Sequence, residues 1–173
     1  MIAALMFSTA IFSQSYKVVK GESKVVVQGT STVHDWESNM EHFSLSFIVA
    51  DKTMNNVSFK GSVKSIKSGK KSMDSNTYEA MKAYQHSHIT FTGSGFKISD
   101  GKITGTGKLT IAGVTKSIPI DLNLESWSAG SYNITGKVTF KMSTFGIDPP
   151  TAVFGTIKTG DDVTIAFNFV VKS

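Results

Sequence analysis

The four histidines are the side chains of this sequence that could exchange protons near neutral pH. His34 stands next to Asp35, with Glu37 two residues further on, and an imidazole among carboxylates could act as a general base or bind a metal ion. In an extended strand, however, adjacent side chains point to opposite faces, so His34 and Asp35 cannot bind one ion together without a bulge or turn. The other histidines are scattered along the chain: His42, His86 and His88.

The sequence also lacks the motifs around which common active sites are built. It contains no Gly-x-Ser-x-Gly, no His-Glu-x-x-His and no glycine-rich phosphate loop. It has no cysteine, which excludes disulfide bonds and thiolate metal sites. We therefore predict that the protein is not an enzyme and uses no metal and no cofactor. An enzyme with a histidine-based site is kept as the less favoured alternative.

All 18 basic side chains are lysines, and the chain has a formal net charge of +5 and a pI of about 9.3. Without arginine, the planar guanidinium that usually recognises phosphate groups is missing. We expect a solvated basic exterior and no nucleic-acid partner. The same charge allows transient contact with an anionic membrane surface.

The first fifteen residues differ from the rest of the chain. Residues 2–12 form an apolar run that is too short to span a bilayer, and the small residues Ser13 and Ser15 follow it. This pattern is typical of a secretory signal, although the usual preceding basic residues are absent. We predict a truncated signal peptide over residues 1–15 and one domain over residues 16–173. The mature protein would then begin near residues 14–16 and be periplasmic or secreted.

From residue 16 onward, apolar and polar residues alternate as they do in strands that bury one face. About eight such strands, separated by turn residues, predict an all-β domain with antiparallel pairing. The pattern fits either a closed up-and-down barrel or a two-sheet sandwich. One segment lacks this alternation: the pattern of residues 76–84 predicts a short helix, with Asn76 as its N-cap and Glu79 at the capping-box position.

The clearest strand pair surrounds Ala112-Gly113, where two alternating segments meet at a short turn. Residues 107–116, GKLTIAGVTK, resemble the Gly-x-Leu-Thr-Ile-x-Gly-Val-Thr-[Lys/Arg] motif of the YceI-like family. Other family features follow in the same order, so that the resemblance covers roughly residues 20–172: a short helical excursion before Ile89-Thr90-Phe91, a Phe-Gly strand end at Phe145-Gly146, and a closing strand from residue 160. Lys141 stands where the family usually has arginine, which suggests a divergent branch.

This resemblance implies an eight-stranded antiparallel up-and-down β-barrel, lipocalin-like, with one short helix. It also implies binding of polyisoprenoids or related amphiphilic lipids inside the barrel. A barrel of this size either fills its interior with side chains or holds one small ligand. Glycines at inward positions, such as Gly107, remove side-chain volume, which favours a cavity; the alternative is that they only allow the sheet to bend.

The alternation predicts which residues face the barrel interior and would line such a cavity. This wall is almost uncharged and would accept a long apolar chain. The predicted ligand-binding residues are Phe47, Phe59, Phe91, Gly107, Leu109, Leu122, Phe140 and Phe167. The residues predicted to lie at the mouth and to meet a polar head group are His34, Trp36, Thr115, Lys116 and Phe145.

We predict non-catalytic binding, sequestration or transport of a long-chain amphiphilic lipid of the polyisoprenoid, quinone or fatty-acyl type. The alternative is a filled barrel that serves as a stress-response or interaction module. A monomer and a homodimer both fit the sequence. On the lipid-binding interpretation, Phe59→Asp or Gly107→Leu would abolish lipid uptake and leave the barrel folded.

Overall fold

The computed structural model describes residues 13–128, 130–152 and 154–173. The predicted signal peptide therefore lies almost entirely outside the described residues. The elements are β1 (Gln14–Val18), β2 (Lys24–Ser31), β3 (Trp36–Met40), β4 (Phe43–Ala50), β5 (Thr53–Ser62), β6 (Ile66–Lys67), α1 (Lys71–Ala80), β7 (His88–Gly93), β8 (Phe96–Ser99), β9 (Lys102–Ile111), β10 (Val114–Ser128), β11 (Ser131–Lys141), β12 (Thr151–Ala152) and β13 (Ile157–Lys172). Three 3₁₀ turns connect some of them: Lys20–Glu22, Val63–Ser65 and Met142–Phe145.

Eight of these strands form a closed antiparallel barrel, in the order β1-β4-β5-β7-β9-β10-β11-β13, and β13 returns to β1. The predicted eight-stranded lipocalin-like barrel is therefore confirmed. The hairpin between β9 and β10 is also as predicted, with Ile111 opposite Val114. Its two turn residues, Ala112 (φ 48°) and Gly113 (φ 81°), both take the left-handed conformation that a tight two-residue hairpin turn requires.

A second branch of the sheet leaves the barrel at β13, which is long enough to pair with β1 at one end and β2 at the other. The branch continues from β2 to β3 and then to the short β6. Because β6 follows β5 closely in sequence, this branch bends back towards the barrel wall. It builds one side of the barrel end at which α1 lies.

Strands β10 and β11 pair over only part of their length. Their pairing runs from Ser128 opposite Ser131 to Asn123 opposite Thr135, while residues 114–122 of β10 pair with β9 alone. Pro119 lies in this stretch, and a strand tolerates proline where its missing N–H has no ladder partner. The barrel wall is therefore open between these two strands towards the end that contains the 3₁₀ turn Met142–Phe145.

The helix is present, but it begins earlier than predicted. α1 starts at Lys71, which places Asn76 in the middle of the helix and not at its N-cap. The segment before it is fixed by Asp74, whose Oδ1 accepts hydrogen bonds from the backbone N (2.8 Å) and Oγ (2.7 Å) of Ser68. The helix ends before Lys82, which adopts a left-handed φ of 51°.

The barrel interior is packed with aromatic rings, and the inward glycines accommodate them. A β-carbon on Gly107 would lie only 2.5 Å from Cε2 of Phe91, and one on Gly93 would lie 2.6 Å from Cε2 of Phe96. Leu122 fills the corresponding space at Gly136. The glycines therefore make room for neighbouring side chains, and the volume that they release is occupied. This corrects the expectation that they create the cavity.

Candidate functional site

In the described part of the chain, the barrel contains a larger and a smaller cavity. The larger has a volume of about 840 Å³ and lies at the end of the barrel that carries α1. The smaller has a volume of about 110 Å³ and lies deeper, among the aromatic rings. Cavities of several hundred Å³ are of the size that proteins use for small organic ligands. The larger cavity, which we call the upper chamber, is therefore the candidate site.

The upper chamber combines apolar walls with a polar rim. Its apolar walls come from the barrel strands and from the 3₁₀ turn that holds Met142. The polar groups come from the β2–β3 loop, the start of α1 and the β12 region. The principal apolar lining residues are Val27, Ile66, Ile89, Ile111, Phe140, Met142, Ile147, Val163 and Ile165, and the polar ones are Ser31, His34, Ser38, Lys70, Ser72, Asn76, Thr77, Thr151 and Thr159.

The predicted ligand-binding residues are divided between the two cavities. Phe140 lines the upper chamber. Gly107 lies beneath the ring of Phe91, which covers it. The other six line the smaller cavity, whose walls are entirely apolar: Phe47, Phe59, Phe91, Leu109, Leu122 and Phe167.

The predicted mouth residues do not all come together. His34 and Trp36 line the upper chamber; His34 Nδ1 lies 2.7 Å from the backbone oxygen of Asp35, and Trp36 Nε1 donates to the backbone oxygen of Thr30 (3.0 Å). Both side chains are therefore held in place by the β2–β3 loop.

The remaining mouth residues lie elsewhere. Thr115 and Lys116 are exposed on the β9–β10 hairpin, where the Thr115 hydroxyl lies 2.8 Å from that of Thr110. Phe145 is fully buried, and its ring packs edge-on against Phe140 with 5.0 Å between the ring centroids. Phe145 therefore supports the chamber wall from behind.

Sequence reasoning missed the contribution of α1. One face of the helix lines the upper chamber with Met73, Asn76, Thr77 and Ala80. The i, i+3, i+4, i+7 spacing of these residues could have indicated this face. The predicted start at residue 76 concealed it. Phe154, which follows the Asp148-Pro149-Pro150-Thr151 segment and is predicted from the sequence to lie over one barrel opening, lines the chamber, and its side chain is fully exposed at the rim.

Polar contacts fix α1 against the chamber. The single proton of the Tyr78 hydroxyl is shared between the backbone oxygens of Lys64 and Ile66, each 2.9 Å away, and the hydroxyl oxygen accepts from Lys67 Nζ at 2.7 Å. The hydrogen bond to Tyr78 raises the pKa of Lys67. Burial alone would raise the pKa of Asp74, but its hydrogen bonds from Ser68 outweigh burial and hold the pKa below its usual value.

A second carboxylate, that of Asp161, fixes the 3₁₀ turn Met142–Phe145, which forms another part of the chamber wall. Asp161 on β13 accepts hydrogen bonds from the backbone N (2.8 Å) and Oγ (2.6 Å) of Ser143, in the 3₁₀ turn Met142–Phe145. These bonds lower the pKa of Asp161. Because Met142 lines the chamber and Phe145 supports Phe140, this contact positions part of the chamber wall.

The histidines do not assemble into a site in the described part of the chain. His88 Nδ1 lies 2.8 Å from Oγ of Ser87, and the His86 ring lies against Gly113. Among residues 13–128, 130–152 and 154–173, no group of three histidine, aspartate or glutamate side chains could hold a metal ion. Within the same ranges, no helix is long and apolar enough to cross a membrane.

Solved structures share this architecture. Burkholderia cenocepacia BcnA aligns with a TM-score of 0.76 at 19% identity, covering 90% of this chain and 99% of its own. A polyisoprenoid-binding domain from Saccharophagus degradans, implicated in plant cell wall breakdown, aligns with a TM-score of 0.69 at 12% identity, covering 91% and 98%. The Campylobacter jejuni YceI protein gives 0.67 at 20% identity, covering 79% and 84%. The TM-scores show a common fold, and at such low sequence identities the likeness shows the fold alone.

No curated protein matches the sequence. The family model of the YceI-like domain matches residues 16–171, which is nearly the whole of the described barrel. With its closed barrel, its hairpin at Ala112-Gly113 and its family match, the chain belongs to the YceI-like family.

Proposed function

We propose that this protein binds a long-chain amphiphilic lipid of the polyisoprenoid, quinone or fatty-acyl type, without transforming it. The observation that carries the proposal is the upper chamber, about 840 Å³ in volume, with apolar walls that end in a polar rim. A polyisoprenoid-binding domain among the proteins of the same fold supports the choice of ligand class.

The hydrophobic effect supplies enough free energy for such binding. Each methylene group that leaves water contributes roughly 0.8 kcal/mol, so that ten enclosed methylenes contribute about 8 kcal/mol. The loss of translational and rotational freedom of the lipid, together with the ordering of its chain, costs at least about 4 kcal/mol. Net binding in the micromolar range, about 8 kcal/mol, therefore requires roughly fifteen enclosed methylenes, or fewer methylenes with additional polar contacts at the rim.

The rim offers the polar contacts that a head group needs. His34 lies on one side, in the β2–β3 loop; on the other side, Lys70 precedes α1 and Asn76 lies in the middle of that helix. The Lys70 ammonium would favour an anionic head group such as a phosphate or carboxylate. The head group would therefore lie between the β2–β3 loop and α1, and not at Lys116 on the hairpin.

Transfer to and from a membrane would take place at the same rim. Phe154 is fully exposed there and Val33, in the β2–β3 loop, is 64% exposed. An exposed aromatic ring beside a basic surface is suited to brief contact with an anionic bilayer. We further infer a periplasmic or secreted protein. Because Gln14 and Ser15 pair with β4, signal cleavage would precede Gln14 if the barrel is to keep its closing strand.

The experiment that tests the proposal is native mass spectrometry of the protein from its own cells, followed by denaturing extraction and lipid identification. A stoichiometric prenyl, quinone or acyl lipid is the expected result. Ala80→Trp places an indole in the chamber from α1 and should reduce occupancy severely. Its matched control is Glu79→Trp, one residue away on the exposed side of the helix.

A protein that stays empty after incubation with quinones and polyprenyl phosphates would overturn the proposal. The filled-barrel module would then be the better interpretation. Equal lipid occupancy in the Ala80→Trp and Glu79→Trp variants would show that the lipid does not occupy the upper chamber.

A further inference from the structure

The boundary between the two cavities lies at one level of the barrel. On several strands, two consecutive inward residues line different cavities. The residues that line the smaller cavity and the upper chamber are, respectively, Val25 and Val27 on β2, Leu109 and Ile111 on β9, and Val138 and Phe140 on β11. The two cavities are therefore stacked along the barrel axis, end to end.

Two isoleucines lie at this level and line both cavities: Ile89 on β7 and Ile165 on β13. In the closed ring, three strands separate β7 from β13 in either direction, so the two side chains approach from opposite walls. Ile89 is almost fully buried, with 3% of its surface exposed. Ile89 and Ile165 therefore mark the boundary between the two cavities, and we call this pair the isoleucine septum.

We propose that the isoleucine septum sets the length of the lipid chain that the protein accepts. A chain that enters from the rim stops at Ile89 and Ile165, and the smaller cavity behind them is a terminal subsite that only a widened septum opens. At about 30 Å³ per group, the smaller cavity of about 110 Å³ would hold roughly four methylenes. The inference rests on the proposed function, because it requires a lipid chain in the upper chamber.

The test uses a series of saturated fatty acids of increasing length, with affinities measured by displacement of a fluorescent probe. Each added methylene should strengthen binding roughly fourfold until the chain end meets the septum, after which affinity levels off. Ile165→Ala or Ile89→Ala should move this plateau by about three to four carbons. The longest acids should then bind at least about tenfold more tightly to the variants than to the unchanged protein.

Ile103→Ala is the matched control. Ile103 lines only the smaller cavity and is almost fully buried, with 1% of its surface exposed, so its truncation enlarges that cavity and leaves the septum in place. The plateau should stay where it is. Circular dichroism checks folding, and Ile165→Val and Ile89→Val replace the alanine variants if those do not fold.

Three results would contradict the inference in distinguishable ways. If neither the unchanged protein nor any variant binds an acid or carries a cellular lipid, the proposed function itself fails. If the acids bind but the plateau does not move in the septum variants, the septum does not set chain length. If Ile103→Ala moves the plateau, the chain already reaches the smaller cavity in the unchanged protein.

Discussion

The contact between Gly107 and the ring of Phe91 tests whether the inward glycines make room for neighbouring side chains or only allow the sheet to bend. A β-carbon at position 107 would lie 2.5 Å from Cε2 and 2.9 Å from Cε1 of Phe91. Carbon atoms in contact prefer separations of about 3.5–4.0 Å, so the ring would have to move by roughly 1 Å. Such overpacking typically costs about 1–3 kcal/mol, and we expect Gly107→Ala to lower the free energy of unfolding by this amount.

In a Phe91→Ala background the same substitution should behave differently. Phe91→Ala alone should cost about 3–5 kcal/mol, but it removes the ring that the new methyl group would meet. An alanine is then favoured over glycine in a strand by roughly 0.5–1 kcal/mol. The double-mutant cycle should therefore show a coupling of about 1.5–4 kcal/mol between the two positions.

Urea unfolding of the four proteins measures this coupling, and the absence of cysteine removes any complication from disulfide exchange. If Gly107→Ala costs the same with and without the ring, the glycine serves the bending of the sheet and the packing argument is refuted. The structure also changes the expectation for Gly107→Leu. A leucine there would destabilise the barrel, and a folded barrel that has merely lost lipid uptake is no longer the expected result.

Three further predictions concern pH and membrane transfer. The pKa of Asp161 is lowered from 3.8, so its contribution to stability is present above that pH and is lost as the pH falls further. In urea unfolding at several acidic pH values, Asp161→Asn should lose less stability than the unchanged protein over that range, and parallel losses would refute the role of its bonds to Ser143. Burial, followed by the neighbouring Tyr132 ring 5.4 Å away, raises the pKa of Tyr16 from 10.0 to about 12, so the stability that the neutral Tyr16 hydroxyl contributes is complete below pH 10 and declines by about 3 kcal/mol as the pH rises from 10 to 12. Tyr16→Phe should remove that decline from an alkaline unfolding series, and an unchanged decline would assign it to other groups. Val33→Ser should slow lipid transfer from anionic vesicles in a stopped-flow assay and leave the equilibrium affinity unchanged, since the Val33 side chain is 64% exposed and does not line the chamber; unaltered transfer rates would rule out its contact with the bilayer.

The barrel could be predicted from the sequence because strand alternation is local and strong. The segments on either side of Ala112-Gly113 alternate without interruption, and the turn itself demands positive φ. Alternation does not encode which strands are neighbours in space, and the choice of a barrel over a sandwich came from the family resemblance. The helix start was misplaced because Asn76 is a strong N-cap type, whereas the actual start depends on the contact between Asp74 and Ser68.

The site was predicted less completely, for a related reason. The alternation of apolar and polar residues identified side chains such as Phe47 and Phe140 as pointing into the barrel. It does not show where along the barrel axis each side chain lies, and these two line different cavities. Most of the predicted lining therefore belongs to the packed lower half. The upper chamber is built by α1, the β2–β3 loop and the β12 region, which come together only in the folded chain. Phe145 was predicted to lie at the mouth because it precedes the Asp148-Pro149-Pro150-Thr151 loop, whereas its ring packs against Phe140 and is fully buried.

The barrel closes through the pairing of β1 with the end of β13, where Val18 lies opposite Val171 and Lys17 opposite Lys172. These partners are more than 150 residues apart in sequence, so the ring cannot close until β13 has been synthesised. Until β1 and β13 meet, each presents an unpaired edge, and such edges are prone to associate with other chains. Folding dominated by such distant contacts is slow compared with that of helical domains of similar size. The barrel lumen is therefore enclosed only after segments from both ends of the sheet have come together.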